Sequence, residues 1–375
     1  MVEVAPTLST APAQPEREKL DWLQCGRAIA AISVCCFHAA ERVMKHAPDP
    51  AGFGVFQFGK LGVDLFFVIS GFIIFYIHAR DIGRPETLGR YAYRRATRIY
   101  PLYWLLFAAV LPLYFVFPEA GDGTARDVGS VIRCFFLLPN PPNGQIIGVA
   151  WTLVFEISFY AIFAFLIIGR RFGLALIGIW AVLIGLNAAG VLHPQGYAAP
   201  LLSPRYFEFA IGATVYYLSR SWRPKGALAL SALGLIALFG GGLASSWGAQ
   251  VLSGLVGQVL LAGGLSGVVV FGLVTARDAS FLASRPGRIL TALGDASYSI
   301  YLFHWLIGWI VDKIYLKVVT PSAVGSIAYF VVLVVLMAAG GYLVHIILER
   351  RLMRFFNDLW RHHLAPARPR ALSAT

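Results

Sequence analysis

The stretch GKLGVDLFFVISGFIIFY, residues 59–76, decides the fold class of this chain. Its apolar run is almost unbroken and approaches the length of a helix that crosses a bilayer, which needs about 20 residues. Similar runs recur along the sequence, and they predict spanning helices near 21–40, 61–79, 99–117, 146–168, 174–192, 206–219, 227–243, 251–275, 289–311 and 323–348. We therefore predict an all-α polytopic membrane protein, a bundle of about ten transmembrane helices.

The composition supports this class. Apolar residues make up 58% of the 375 residues and charged residues only 13%, with a mean hydropathy of +0.69. A soluble domain has about 45–50% apolar and about 25% charged residues. The net charge of +12 is typical of a membrane protein whose cytoplasmic loops collect Lys and Arg, so we expect no nucleic-acid partner.

The distribution of positive charge predicts the orientation. If the N-terminus is inside, most of the 31 Lys and Arg residues fall in cytoplasmic segments, which places both termini in the cytoplasm. We predict a disordered cytoplasmic tail at 1–19, a transmembrane domain at 20–350 and a basic cytoplasmic tail at 351–375 that ends in the disordered sequence APARPRALSAT. No removable signal peptide is predicted.

Two ionisable residues lie in the first apolar helix, GRAIAAISVCCFHA at 26–39. A charge at mid-bilayer costs about 2.5–3.5 kcal/mol on insertion scales, so each needs a reason. Arg27 and His38 are spaced so that both project from one helix face, about 16 Å apart along the axis. This pattern predicts a polar cavity with a fixed cation and a titratable base. The alternative is that both residues only bond to neighbouring helices.

Two acidic residues follow in other apolar helices. Asp64 is predicted to lie level with His38, where a carboxylate that accepts a bond from the imidazole would make it a better base. Glu156 lies deep in WTLVFEISFY and needs a cationic or donor partner. The alternatives are a helix-start Asp64 and a purely structural pairing of Glu156. Ser70 and Gly71 are expected to allow close helix packing.

The segment RYAYRRATRIYPLYW at 90–104 carries a cluster of arginines. Arg95 and Arg98 share a face at i, i+3 and, with Arg94, could clamp phosphates through paired donors. Ordinary positive-inside arginines are the alternative.

A further segment, SYSIYLFHW at 297–305, carries Tyr298 and His304. A packing role for His304 is as reasonable as a catalytic one. Glu349 is expected to pair with nearby arginines. No Cys or His spacing indicates a metal site, and no disulfide is expected.

Together these segments resemble the acyltransferase-3 family of bacterial integral-membrane acyltransferases, and most closely its exopolysaccharide O-acetyltransferases. The resemblance rests on Arg27-x10-His38, GVDLFFVISGF at 62–72, RRATRIYPLYW at 94–104, WTLVFE at 151–156 and SYSIYLFH at 297–304. Two departures are Ala28, where a glycine is usual, and LERRL at 348–352, where many members have a proline.

The resemblance implies transfer of an acyl group, usually acetyl, from cytoplasmic acetyl-CoA to a hydroxyl of a cell-surface polysaccharide or lipid-linked oligosaccharide, in the bacterial inner membrane. It implies that His38 is essential, that Arg27 is its companion and that Arg95 and Arg98 serve the acyl donor, while Glu156 and Tyr298 match recurrent positions. No metal is implied, and a homo-oligomer is compatible with the small residues on lipid-facing helices.

The mechanism and the functional class both leave alternatives. His38, oriented by Asp64, would act as general base or become acylated itself. A proton-coupled transporter or flippase of a glycolipid or small molecule could also use buried Arg, His and Glu, and a membrane sensor or scaffold is a third reading.

Overall fold

The structure is a computed structural model that describes residues 20–46, 51–117, 122–141, 144–246, 254, 257, 259–318 and 323–364. Within those residues it is helical and contains no strand. The α-helices are α1 (Asp21–His46), α2 (Gly62–His78), α3 (Leu88–Val110), α4 (Leu113–Val116), α5 (Val128–Phe135), α6 (Trp151–Ile168), α7 (Arg170–Ala188), α8 (Ala198–Leu201), α9 (Tyr206–Ser221), α10 (Ala227–Ser246), α11 (Gly264–Thr275), α12 (Ser280–Ala283), α13 (Arg285–Asp295), α14 (Ser297–Val318), α15 (Ala323–Val344) and α16 (Arg350–Leu359).

Seven helical stretches within the described residues are long and apolar enough to cross a membrane: Asp21–His46, Gly52–Asp81, Pro85–Val116, Gly148–Ile168, Arg170–Ala188, Ala227–Ser245 and Gly325–Leu364. The other three predicted spans coincide with α9, with the shorter apolar helix Val259–Thr275 and with α14. The membrane class is thus supported. The count of ten and the cytoplasmic placement of both termini stay predictions.

Two boundaries differ from the prediction. The apolar run at 289–311 is not one helix: α13 ends at Asp295, and α14 begins at Ser297. Hydropathy does not register this break, because a single apolar residue, Ala296, separates the two helices. The last span does not stop near Glu349 but continues through a π-helical turn, His345–Glu349, into α16. The predicted tails at 1–19 and 365–375 lie outside the described residues.

Helices α2 and α9 cross with their backbones in contact. A Cβ built on Gly71 would lie 2.2 Å from the carbonyl oxygen of Phe209, and one on Gly212 would lie 2.1 Å from the carbonyl oxygen of Val68. Only glycine allows this approach, so the prediction that Gly71 serves close packing is confirmed. The crossing fixes the position of α2, which forms one wall of the cavity described below.

The short helix α5 docks against α3 through its C-terminal carbonyls. Tyr103 donates to the carbonyl of Cys134 at 2.6 Å and Trp104 to that of Phe135 at 3.0 Å. These bonds satisfy carbonyls that a helix end leaves without partners. At the other end of α5, hydrogen bonds from Ser130 hold the pKa of the capping Asp127 carboxyl below its usual value.

Candidate active site

A cavity of about 840 Å³ opens between α1, α2, α3, α6, α14 and the C-terminal helices α15 and α16. Its cationic side chains outnumber its acidic ones, since Glu156 and Asp295 are the carboxylates among its lining residues. The arginines that line it are Arg27, Arg94, Arg95, Arg98 and Arg350. Such a lining favours a ligand with several negative charges. The structure therefore brings together, around one space, most residues singled out from the sequence, including Tyr298.

The two arginines predicted as a phosphate clamp have different surroundings. The Arg95 guanidinium lies 5.7 Å from the centre of the Tyr160 ring, and its buried Nε has no hydrogen-bond partner among the described residues. Arg98 instead forms an ion pair with Glu349 and stacks over the Tyr298 ring at 5.3 Å. Arg95 is therefore the arginine with unused donor capacity, whereas the charge of Arg98 is already balanced.

Glu349 is a buried anchor for three groups. Its side chain is only 3% exposed, and it accepts from Arg98, from the Ser299 hydroxyl at 2.6 Å and from His345 Nδ1 at 2.8 Å. Glu349 does pair with an arginine, as expected, but the partner is Arg98, 251 positions away in the chain, and not one of the arginines that follow it. Arg98 lies on α3 and Ser299 on α14, so the carboxylate joins these two helices to the π-helical turn that carries Glu349 and His345.

Glu156 also finds donors, as a carboxylate at that depth requires. It accepts from the Tyr160 hydroxyl one turn later and from Ser70 on α2 at 3.4 Å. The partners are neutral hydroxyls rather than a cation. Tyr298 directs its own hydroxyl away, to the carbonyl of Ile99 at 2.8 Å, so its ring face rather than its hydroxyl supports Arg98.

His38 lies outside the cavity lining, and Glu41 rather than Asp64 is its hydrogen-bond partner. The Nδ1 to Oε2 distance is 2.8 Å, and the two side chains are 27% and 46% exposed. Since the carboxylate accepts, Nδ1 carries the proton and, in the neutral ring, Nε2 presents a lone pair. This is the tautomer that a general base needs. The HAAE spacing at 38–41, i to i+3 on a helix, is a signal that the sequence interpretation missed.

Asp64 is engaged elsewhere, which corrects its expected role. It is fully buried and accepts from Arg205 at 3.3 Å, and the same guanidinium lies 3.9 Å from the buried Glu208. Arg205 also stacks over Trp151 at 5.5 Å. Sequence reasoning did not foresee this pairing, because Arg205 follows a loop with no motif.

A second histidine stands beside His38. The centroids of the His38 and His304 rings are 5.1 Å apart, and His304 is fully buried. Its Nδ1 lies 2.5 Å from the carbonyl oxygen of Tyr301, so Nδ1 donates, and its buried Nε2 has no partner within the described part of the chain.

Tyr301 connects the histidines to the cavity. Its hydroxyl lies 3.0 Å from that of Thr152, and both residues line the cavity. The Tyr301 ring lies 5.7 Å from that of His304 between centroids, so Tyr301, His304 and His38 form a series of neighbouring rings that starts at the cavity lining.

Among the described residues, no group of three or more His, Cys, Asp or Glu side chains could hold a metal ion. The four cysteines, Cys25, Cys35, Cys36 and Cys134, are free thiols.

Comparison with known proteins adds independent evidence on the family of this chain. A protein-family model described as an acyltransferase domain, acyltransferase-3, matches residues 20–346. The exopolysaccharide production protein ExoZ of Rhizobium meliloti (strain 1021) is 32% identical over 333 residues, which cover 85% of this chain and 94% of that protein. An O-acetyl transferase of Shigella phage Sf6 is 24% identical over 242 residues, 59% of this chain and 69% of that protein. No solved structure matches the chain significantly.

Proposed function

Because the chain belongs to the acyltransferase-3 family and is an O-acyltransferase, we propose that it moves an acetyl group from acetyl-CoA to a hydroxyl of an exported or cell-surface polysaccharide. The names of its relatives support both halves of the reaction, since one is an exopolysaccharide production protein and the other an O-acetyl transferase. The apolar spans make it a membrane protein, and we place it in the bacterial inner membrane.

The arginine-lined cavity carries this proposal. Acyl-CoA bears phosphates at one end and a thioester at the other, and a space of about 840 Å³ with arginines along it suits such an elongated anion. Arg95, whose Nε has no partner among the described residues, is the first candidate to bind a donor phosphate. The thioester would then point toward Thr152 and Tyr301, which also line the cavity.

His38 is the proposed base. With Nδ1–H held by Glu41, the Nε2 lone pair can take the proton of the acceptor hydroxyl as its oxygen attacks the thioester carbonyl. The carbon–sulfur bond then breaks, and the CoA thiolate leaves and takes up a proton. The same lone pair could instead accept the acyl group and pass it on. In either case Tyr301, which lines the cavity and contacts His304, would lie between the donor and His38.

The test is thiol release from acetyl-CoA by the purified protein in detergent, with and without acceptor polysaccharide. We expect wild-type protein to release CoA, His38→Ala to release none above background and Arg95→Ala to need a much higher donor concentration. Arg84→Ala is the matched control, because Arg84 is exposed and does not line the cavity.

Two results would overturn the proposal. One is a folded wild-type protein that neither binds nor cleaves acetyl-CoA, which is the behaviour of a transporter or scaffold. The other is full transferase activity in His38→Ala.

A further inference from the structure

Three residues of α16 line the donor cavity although they lie beyond residue 346, where the match to the family model ends. Arg350, Met353 and Asn357 are spaced i, i+3 and i+7, which places them on one face of the helix. Two residues of the predicted tail at 351–375, Met353 and Asn357, are thus part of the cavity wall.

Other residues of α16 fix this helix against α3. The Tyr93 hydroxyl donates to the carbonyl of Phe356 at 2.8 Å, and the Tyr93 and Trp360 rings have centroids 4.8 Å apart. Leu352 packs against the main hydrophobic core. Because Tyr93 directly precedes Arg94, the same contacts set the distance between α16 and the α3 arginines.

The position of α16 along the cavity follows from the chain. Asn357 is eight residues beyond Glu349, or about 12 Å at the helical rise. Glu349 holds Arg98 and accepts from Ser299 at the start of α14, whereas Tyr301 and His304 follow further along that helix, away from the end that Glu349 contacts. Helix α16 therefore lies at the end of the cavity away from the proposed base.

The face that α16 presents has the chemistry of a nucleotide site. Arg350 supplies a guanidinium for phosphate, Asn357 an amide that can donate to and accept from a purine edge, and Met353 an adaptable apolar surface for the ring. We propose that this face binds the nucleotide end of the acyl-CoA donor, its adenine and ribose 3′-phosphate. The inference rests on the proposed function and assigns a specificity role to residues outside the matched family domain.

The experiment compares two donors in neutral detergent without anionic lipid, so that lipid headgroup phosphates cannot contribute. The ratio of kcat/KM for acetyl-CoA to kcat/KM for acetyl-pantetheine, which lacks the nucleotide, is measured for wild-type protein, Arg350→Ala, Asn357→Ala and Arg351→Ala. Arg351 is the matched control: it is the next residue, carries the same charge and is exposed like Arg350, but it does not line the cavity.

We expect the ratio to fall about tenfold in Arg350→Ala, the loss of one charge-assisted contact, and several-fold in Asn357→Ala, with no change in Arg351→Ala. An equal fall in Arg350→Ala and Arg351→Ala would overturn the proposal, because only general attraction of anions would then remain. An unchanged ratio in Arg350→Ala would overturn it as well. Direct binding of acetyl-CoA to wild-type protein separates this failure from failure of the proposed function, which would abolish that binding too.

Discussion

The imidazole rings of His38 and His304 lie side by side, 5.1 Å apart between centroids, yet each is held by a different kind of partner. A carboxylate, Glu41, orients His38, and a main-chain carbonyl, that of Tyr301, orients His304. In both rings Nδ1 is the hydrogen-bonded nitrogen, which leaves Nε2 as the nitrogen available to a third group. The proposed base, His38, thus lies beside His304, whose buried Nε2 is free to accept a hydrogen bond in the neutral ring.

This pairing predicts that the two amide replacements of His304 behave differently. In His304→Asn the amide nitrogen can still donate to the Tyr301 carbonyl, but nothing occupies the Nε2 position. In His304→Gln the longer side chain can place its oxygen there. We expect kcat for acetyl transfer to fall about 10²-fold in His304→Asn and clearly less in His304→Gln. Steady-state transfer to polysaccharide measures both, and equal losses in two folded variants would show that only the ring's packing matters.

The carboxylate partner of His38 gives a second prediction. Glu41→Gln replaces the carboxylate that accepts from His38 Nδ1 with a neutral amide of the same shape, so we expect kcat to fall about 10²-fold with little change in thermal stability. For Asp64→Asn we expect the opposite, a lower thermal stability with little change in kcat, because Asp64 pairs with Arg205 and not with the base. Transfer rates and unfolding temperatures of the two variants show which of the two carboxylates serves His38. The opposite pattern would restore the role that the sequence suggested for Asp64.

Local spacing predicts what lies on one helix and not what meets across helices. The cation of Arg27 and the cluster at Arg94, Arg95 and Arg98 were found from the sequence, and all four line one cavity. The ion pairs of Arg98 with Glu349 and of Arg205 with Asp64 join residues 251 and 141 positions apart. The relative register of two apolar helices leaves no periodic signal, so neither pair could be derived.

The break between α13 and α14 shows the same limit in another form. The polar residues beside Ala296, Asp295 and Ser297, interrupt the apolar run too briefly to divide it, and the sequence predicts one span. In the structure Gly294 packs on α1 so closely that a Cβ would lie 2.0 Å from the carbonyl oxygen of Gln24. A contact between α13 and α1 therefore fixes the position of the chain beside the break. Helix propensity and hydropathy depend only on local sequence, so they do not reveal such a contact.

The different surroundings of Arg95 and Arg98 predict different defects. Arg95→Gln should raise KM for acetyl-CoA about tenfold and leave stability unchanged, since no acid depends on it among the ion pairs of the described residues. Arg98→Gln should lower stability by about 3–5 kcal/mol, because it leaves the buried Glu349 carboxylate without its guanidinium. Donor titrations and thermal unfolding measure the two effects.

The double variant Arg98→Gln/Glu349→Gln provides the control for that assignment. It removes both charges, so it should recover part of the stability lost in Arg98→Gln alone. Strictly additive losses would mean that the two side chains do not stabilise each other.

The glycine contact between α2 and α9 gives a purely structural prediction with a functional consequence. Neither Gly71→Ala nor Gly212→Ala can be accommodated unless the helices separate, because the added Cβ would meet backbone atoms at 2.2 Å and 2.1 Å. We expect each to cost about 3 kcal/mol or more, at the upper end of overpacking effects. Separation would also displace Ser70, the neighbour of Gly71, and lengthen its 3.4 Å bond to Glu156 in the cavity wall.

Gly178→Ala is the matched control, since nothing lies within 4 Å of its Cβ position and the helix should gain up to about 1 kcal/mol. Thermal unfolding of the three variants tests the crossing, and a Gly71→Ala protein as stable as Gly178→Ala would mean that α2 and α9 do not meet at these glycines.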